Sequence, residues 1–376
     1  MKILHTSDWH VGRQFHNVSL LDDQAYVLDQ IVKIAAEDEV DLVLIAGDIY
    51  DRSVPPATAV NLLNLTLNRF HQLNIPVVLI SGNHDSGERL GFGSLPMSLS
   101  GLHILSDLKN ITQPVVLHDQ YGPVNIYGIP YCDPSEVKQL YSADVSTHDE
   151  AMAFMLNLIQ EQHNSNERNL LLSHCFIQGG EESESERPLS IGGADRVSDQ
   201  HFRFLDYVAL GHLHGRQYRG TESIRYSGSI LKYSFSEEKQ IKSVTLVDLD
   251  SQGVSQITQR PLNASRDMRI LTGELKEILH LAQTDPNKED YLLVRLTDTH
   301  AIHDIMGKLR EVYPNVLHIE RPGLMAASPS QQAKREQLSQ GELSMFSDFF
   351  EQIKDTPPSQ EQLQYIADLL KELHSQ

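Results

Sequence analysis

The chain has 376 residues and a net charge of −20, from 31 Lys and Arg against 51 Asp and Glu. With 40% hydrophobic and 22% charged residues a packed core is possible and wholesale disorder is excluded. Apolar runs are too short for a membrane span of about 18 residues, and the only cysteines, Cys132 and Cys175, exclude a disulfide scaffold or a thiolate zinc cluster and fit a reducing cytosol. The opening MKILHTSDWH turns polar after four residues, so no signal peptide is expected. A protein that grips nucleic acid alone usually carries a basic stripe. If the substrate here is a polyanion, bound divalent metal or a basic partner must offset the acidic field.

The first 250 residues alternate β-rich runs with helical patterns. Strands are predicted at 2–6, 41–46, 76–81, 124–129, 169–173 and 207–210, and helices at 25–36, 57–70 and 150–162. On the helix at 57–70, Val60, Leu63, Leu67 and Phe70 share one face while Leu62 and Leu65 lie off it. That is either a deeply covered helix or one with a second apolar face for a dimer. Short strands at 216–219, 223–226, 243–249 and 254–259 predict an antiparallel finish.

The pattern restarts near residue 266 as a compact βαβαβ unit, with strands at 268–271, 291–296 and 316–319 and helices at 274–279 and 303–311. Residues 322–340, rich in Pro, Ser, Gln and Ala, predict a linker. The tail holds two helical stripes, Phe346, Phe349, Phe350, Ile353 and Leu363, Ile366, Leu370, Leu373, the second opened by a Ser359-x-x-Gln362 capping box. The fold class is α/β, a layered sheet structure covered by helices.

Five short signals carry chemistry: Asp8-x-His10, Gly47-Asp48-x-x-Asp51, Gly82-Asn83-His84-Asp85, His174 and Gly211-His212-x-His214. Taken singly, each reads as a turn, a cap or a core histidine. Four directly follow a predicted strand, however, and loops at the carboxyl ends of strands in α/β sheets converge on one crevice. Asp, Asn and His without thiolate suit Mn²⁺, Fe²⁺ or Zn²⁺. The set is too large for one tetrahedral ion and points to two ions sharing a carboxylate, the arrangement that clamps a phosphoryl displacement. The acidic run 181–186 reads as a solvated loop, Cys175 as a buried strand-end side chain, and Arg13, Arg52 and Arg89 as either phosphate contacts or surface charge.

This ordered set resembles the calcineurin-like metallophosphoesterase family, which carries D-x-H, G-D-x-x-D, G-N-H-D/E, a lone H and G-H-x-H. The flanking MKILHTSDWHVGR, IAGDIYDRSVPP, ISGNHDSGERL and YVALGHLHGRQ…RYSGS are similar to its DNA-repair nuclease branch, over most of the chain. The resemblance implies a layered β-sandwich flanked by helices (1–265), a βαβαβ capping domain (266–322), a linker (323–340) and a helical tail (341–376) that docks on an SbcC-type coiled-coil ATPase. It implies two divalent ions, usually Mn²⁺: Asp8, His10 and His214 on the first, Asn83, His174 and His212 on the second, and Asp48 on both. His84 would assist the leaving oxygen, with Asp85 orienting it, and the role of Asp51 stays open. The implied activity is cleavage of DNA, as an exonuclease on double-stranded ends and an endonuclease on hairpins and single strands. The protein would be a cytoplasmic homodimer, joined through the helices after Asp51 and Asp85, without a membrane association. Alternatives are a phosphoesterase acting on cyclic nucleotides or phosphoproteins, and a non-catalytic DNA-end scaffold.

Overall fold

The computed structural model describes residues 1–186, 195–300, 302–322, 343–344, 346–347, 349–351, 354 and 356–373. The chain divides into two compact units, Met1–Ser265 and Arg266–Gln376.

The first unit is built on two six-stranded sheets. One has the order Gly253–Pro261, Ser243–Asp250, Lys2–Thr6, Leu42–Ala46, Val77–Ile80, Leu102–Leu105. The other has the order Gln217–Arg219, Thr221–Tyr226, Tyr207–Gly211, Arg168–His174, Gly122–Ile129, Val115–Asp119. The central strands are parallel in both, in register Ile3↔Leu42, Val43↔Val77, Tyr207↔Leu170 and Val124↔Arg168. Alternate side chains of the two inner faces meet in one core: Leu42, Leu44, Val78 and Ile80 from the first sheet, Val124, Ile126, Leu170 and Leu172 from the second. The intervening residues Val43, Ile45, Val77 and Leu79 are buried as well, so both faces of the first sheet are covered. On the outer face of the second sheet, Met152, Met155, Leu156 and Ile159 of the helix His148–Gln162 cluster with Leu171, Val208 and Leu210. This helix opens with a capping box between Thr147 and Glu150.

The predicted strands and helices of this unit are present with ends shifted by a few residues. The antiparallel finish holds for Ser243–Asp250 with Gly253–Pro261 and for Gln217–Arg219 with Thr221–Tyr226, whose other neighbour, Tyr207–Gly211, runs parallel to it. The edge strands Leu102–Leu105 and Val115–Asp119 escape sequence reading because no side chain in them is fully buried, which weakens the pattern. The helix Ala57–Gln72 buries Ala59, Leu63, Thr66 and Phe70, a line that keeps Leu63 and Phe70 of the predicted stripe and takes Ala59 and Thr66 in place of Val60 and Leu67. Thr66 is tolerated inside because its hydroxyl donates to the Leu62 carbonyl at 2.9 Å. Val60 (44% exposed) and Leu65 (52%) remain outside, so the helix is not deeply covered.

One polar knot fastens the end of the sandwich remote from the motifs. Arg168 opens its strand and grips Asp119 bidentately, at 2.6 and 2.8 Å, while also donating to the carbonyls of Gly122 (2.8 Å) and, from the other sheet, Asp250 (3.3 Å).

The second unit contains a parallel three-stranded sheet, Met268–Gly273, Tyr291–Leu296 and Val316–Glu320, in that order. Helices Leu275–Leu281 and Ile305–Arg310 accompany it around a core of Leu275, Ile278, Leu292, Val294, Leu309 and Val316. The predicted linker 323–340 and Ile353 lie outside the described residues. The final helix, Gln360–Leu373, starts as predicted: Gln362 N–H donates to Ser359 Oγ (3.3 Å), and Ser359 N–H to Gln362 Oε1 (2.9 Å). Leu363, Ile366 and Leu370 are half-buried on it, and Tyr365 and Leu369 are exposed.

Candidate metal centre

The five motifs leave their strands into loops that the backbone ties together. Asp8 N–H donates to the Gly47 carbonyl (3.1 Å), and His10 N–H to the Asp48 carbonyl (2.9 Å). The Gln24 amide, buried at the start of the first helix, donates to the carbonyls of Trp9 (3.1 Å) and His10 (2.7 Å). Four motif residues hold positive φ: Asp8 (52°), His10 (45°), Asp48 (49°) and His212 (106°). Such conformations are uncommon without glycine and cluster at functional sites. The sheets also approach closely here. A Cβ on Gly211 would lie 1.8 Å from the Ala46 carbonyl oxygen, and one on Gly82 would lie 2.1 Å from Asp48 Oδ1, so only glycine fits either place.

All seven residues named as ligands are gathered in one cluster. On one side are Asp8, His10 and His214, whose candidate ligand atoms lie within 4.8 Å of one another. His10 Nε2 and His214 Nε2 face each other at 3.1 Å. On the other side Asn83 Oδ1 lies 2.9 Å from His174 Nε2 and 3.3 Å from His212 Nδ1. Asp48 stands between, its Oδ2 3.5 Å from His10 Nε2 and 3.6 Å from His174 Nε2. His84 approaches from the rim, with its ring centroid 4.7 Å from that of His10. Its Nδ1–H donates to the Asp51 main-chain oxygen (2.9 Å), which leaves Nε2 as its available nitrogen.

The donors fit divalent cations. His174 donates Nδ1–H to the Ala46 carbonyl (2.9 Å), which can only accept. Burial lowers the His174 pKa and so favours the neutral ring. Its Nε2 lone pair therefore faces another acceptor, Asn83 Oδ1, and that contact is repulsive unless a cation lies between them. Among the described residues, two further buried atoms at the centre, His10 Nδ1 and Asn83 Nδ2, have no hydrogen-bond partner. The electrostatics agree. Burial, reinforced by the neighbouring Asp48 charge, raises Asp8 well above the usual carboxylate range and Asp85 to about 7. Burial likewise holds His10 and His212 well below the ordinary histidine value. Each group resists carrying its own charge, and a divalent ion reverses that balance for the carboxylates.

Two sequence expectations need correction. Asp85 does not touch the His84 ring. Its carboxylate accepts from the N–H groups of Ile49 (3.0 Å), Tyr50 (2.9 Å) and Gly82 (2.9 Å), and so pins the Asp48 loop to the Asn83–His84 loop. Nor is the acidic run 181–186 merely solvated. Glu181, Glu182 and Glu184 are exposed, but Ser185 is buried with its hydroxyl 2.5 Å from His214 Nδ1, and Glu186 accepts the His214 N–H at 2.7 Å. Two short bonds, from the Ser185 hydroxyl to Glu237 and from the His214 amide to Glu186, draw this charged run inward, which composition alone does not reveal.

Behind His214 sit two groups that sequence reading missed, Glu237 and Lys242, an ion pair at 2.6 Å that is nearly inaccessible to solvent. Arg13 is committed to Asp51 (3.2 Å), to the Ser185 carbonyl (3.2 Å) and to the Tyr233 ring, so it is not a free phosphate contact. Arg52 is exposed, in a cleft with Gln14, Asn83 and His84. Cys175 is buried as expected, and burial pushes its thiol up to about 12.

Comparison with known proteins places the chain. Residues 1–216 match the family model of calcineurin-like phosphoesterases, and residues 264–354 match that of the type 5 capsule protein repressor C-terminal domain. The chain is 38% identical over 319 residues to the SbcD subunit of the nuclease SbcCD from Staphylococcus epidermidis, covering 84% of each. Among solved structures it matches TT1561 of Thermus thermophilus (TM-score 0.41, 13% identity, 70% of this chain and 99% of that one). A dimetal phosphatase from Danio rerio scores 0.40 at 13% identity, again over 70% of this chain and 99% of the other.

Proposed function

The chain belongs to the calcineurin-like phosphoesterase family, and from that membership we propose that it is a metal-dependent nuclease that cleaves DNA phosphodiesters together with an SbcC-type coiled-coil ATPase. The observation that carries this reading is the convergence of Asp8, His10, Asp48, Asn83, His174, His212 and His214 on one buried point, with Asp48 Oδ2 nearly equidistant from His10 and His174.

In this assignment Asp8, His10 and His214 would hold one divalent ion, Asn83, His174 and His212 would hold the second, and Asp48 would contribute to both. Manganese suits the oxygen and imidazole set. When bound, the two ions supply positive charge to the scissile phosphate and lower the pKa of a water nucleophile. The protein supplies the rest. The Asp85 carboxylate fixes the two loops that carry Asp48 and Asn83. His84, oriented through Nδ1–H by the Asp51 carbonyl, presents Nε2 to the departing oxygen, which takes a proton from it when the ring is in its imidazolium form. The acidic surface repels DNA, so the metal charge and a basic partner chain must draw it in.

Exonuclease action on duplex ends and endonuclease action on hairpins and single strands are the activities assigned, in DNA repair and recombination. The test is cleavage of linear duplex and hairpin DNA with Mn²⁺, with and without the ATPase and ATP, against small phosphodiesters and phosphopeptides. Metal-dependent cleavage of only the latter substrates would overturn the assignment.

The exposed apolar side chains Val60, Leu65, Phe92 (82%), Leu95 (84%) and Leu99 (90%) follow Asp51 and Asp85 and support a homodimer contact there. Sedimentation is expected to give a dimer at micromolar concentration, and Leu65→Glu a monomer. The tail helices support a docking role toward the ATPase, since Tyr365 and Leu369 add exposed apolar area beside the Leu363–Ile366–Leu370 line. Deleting 341–376 is expected to abolish co-purification with the ATPase while leaving Mn²⁺-dependent hydrolysis of a small phosphodiester intact. No helix among the described residues is long and apolar enough to cross a membrane, and the cytoplasm is the assigned location.

A further inference from the structure

We propose that Glu237, acting through the hydroxyl of Ser185, is the positioning residue that holds His214 in the tautomer with Nε2 free for the first metal ion. The inference rests on the binuclear reading of the site and adds to it two residues outside the motifs.

Glu237 is fully buried in the short helical turn Phe235–Glu237, and its Oε2 accepts from Lys242 Nζ at 2.6 Å. The same ammonium donates to the His214 carbonyl (2.9 Å), Ser229 Oγ (2.8 Å) and Gln240 Oε1 (2.7 Å), so only acceptors surround it. The other oxygen, Oε1, faces the Ser185 hydroxyl and lies 3.4 Å from His214 Nδ1. A carboxylate paired with an ammonium accepts and does not donate, so the Ser185 proton points to Glu237. The Ser185 oxygen is then left to accept from His214 Nδ1, 2.5 Å away. The proton of a neutral His214 is thereby placed on Nδ1, and the lone pair on Nε2, the atom that faces His10 Nε2. A carboxylate that orients a ligating imidazole in this way makes it more basic and fixes its plane. Here the contact is relayed by a serine from a distant loop, 29 positions before the histidine it serves. Glu186 reinforces the placement by accepting the His214 N–H.

On the other side of the centre the same task falls to main chain, since the Ala46 carbonyl fixes His174. Loss of the serine should therefore affect one ion and spare the other.

Titration of the metal-free full chain with MnCl₂, followed by calorimetry and by Mn²⁺ electron paramagnetic resonance, tests this. The parent protein is expected to bind two ions. Ser185→Ala, which removes one hydroxyl and leaves the Glu237–Lys242 pair intact, is expected to weaken one binding step by about 10- to 100-fold and to leave the other within about threefold of the parent. Ser185→Thr keeps the hydroxyl and is expected to restore the lost affinity, which a mere packing role would not. Glu237→Gln is expected to weaken the same step. Unchanged affinities in Ser185→Ala, or equal loss at both steps, would overturn the proposal. A parent chain that binds no manganese would instead overturn the binuclear reading, and this inference with it.

Discussion

Replacing His84 by serine is expected to leave both manganese ions bound and to lower the rate of DNA cleavage by about 10²–10⁴-fold, the usual weight of a positioned proton donor. The side chain touches the centre only from its rim. Its Nδ1 is occupied by the Asp51 carbonyl, and the two sets of inward ligands close around Asp48 without it. Asp48→Asn is the contrasting change. It removes charge from the carboxylate that both ions would share, while its amide oxygen can still accept from His84 N–H and the next two residues stay tied by Asp85. Manganese stoichiometry is expected to fall below two and cleavage to drop below detection. Measuring metal content beside rate separates the two roles. If His84→Ser lost metal along with activity, His84 would be a ligand and its role as proton donor would be wrong, a result to weigh because its ligand atoms lie within 4.8 Å of those of His10 and Asp48.

Arg168→Ala is expected to destabilise the first unit by about 3 kcal/mol, the low end for a buried ion pair broken on one side. The variant leaves the Asp119 carboxylate with only the chain's amino terminus and the Tyr121 N–H, and removes the Arg168 donor from the carbonyls of Gly122 and Asp250. Both partners are largely buried, with side-chain exposures of 6% and 13%. The pair also fixes the sign of a pH effect. The Arg168 hydrogen bonds, with help from the chain's amino terminus, hold Asp119 well below the usual carboxylate range. Its contribution is fully present above the unfolded-state pKa of about 4 and is lost as pH falls from there toward the folded value. The gap between parent and variant should thus be constant from pH 7 to 5 and shrink below pH 4. Urea unfolding followed by the fluorescence of Trp9, the only tryptophan and buried in this unit, reads it out. A gap that stays constant to pH 3 would show that Asp119 is not the group concerned.

Much of this was legible in the residues. Leu42–Ala46 is apolar at every position because both faces of its sheet are covered, and that continuous run is what betrays a central parallel strand. The polar residues after such strands then mark one edge of the sandwich. The half-buried edge strands had no such signature, and the true buried line of the helix Ala57–Gln72 was hidden by a threonine that satisfies its own hydroxyl. At the site, the motif residues announce themselves by type and spacing. Their supports do not. Gln24, Ser185, Glu237 and Lys242 are ordinary residues at positions without pattern, and their importance arises from hydrogen bonds spanning up to 209 positions. Such partnerships have no periodicity and cannot be read from neighbours in the chain.

The division of the ligands between the two sheets has a consequence for biosynthesis. Asp8, His10, Asp48 and Asn83 follow strands of one sheet, and His174, His212 and His214 follow strands of the other. In the arrangement proposed, the second ion lacks His212 and the first lacks His214 until those residues have left the ribosome and both sheets have closed on each other. Metal capture would then be a late event in maturation, and each ion would act as a rivet between the two sheets, joining residues 204 positions apart at one site and 91 at the other.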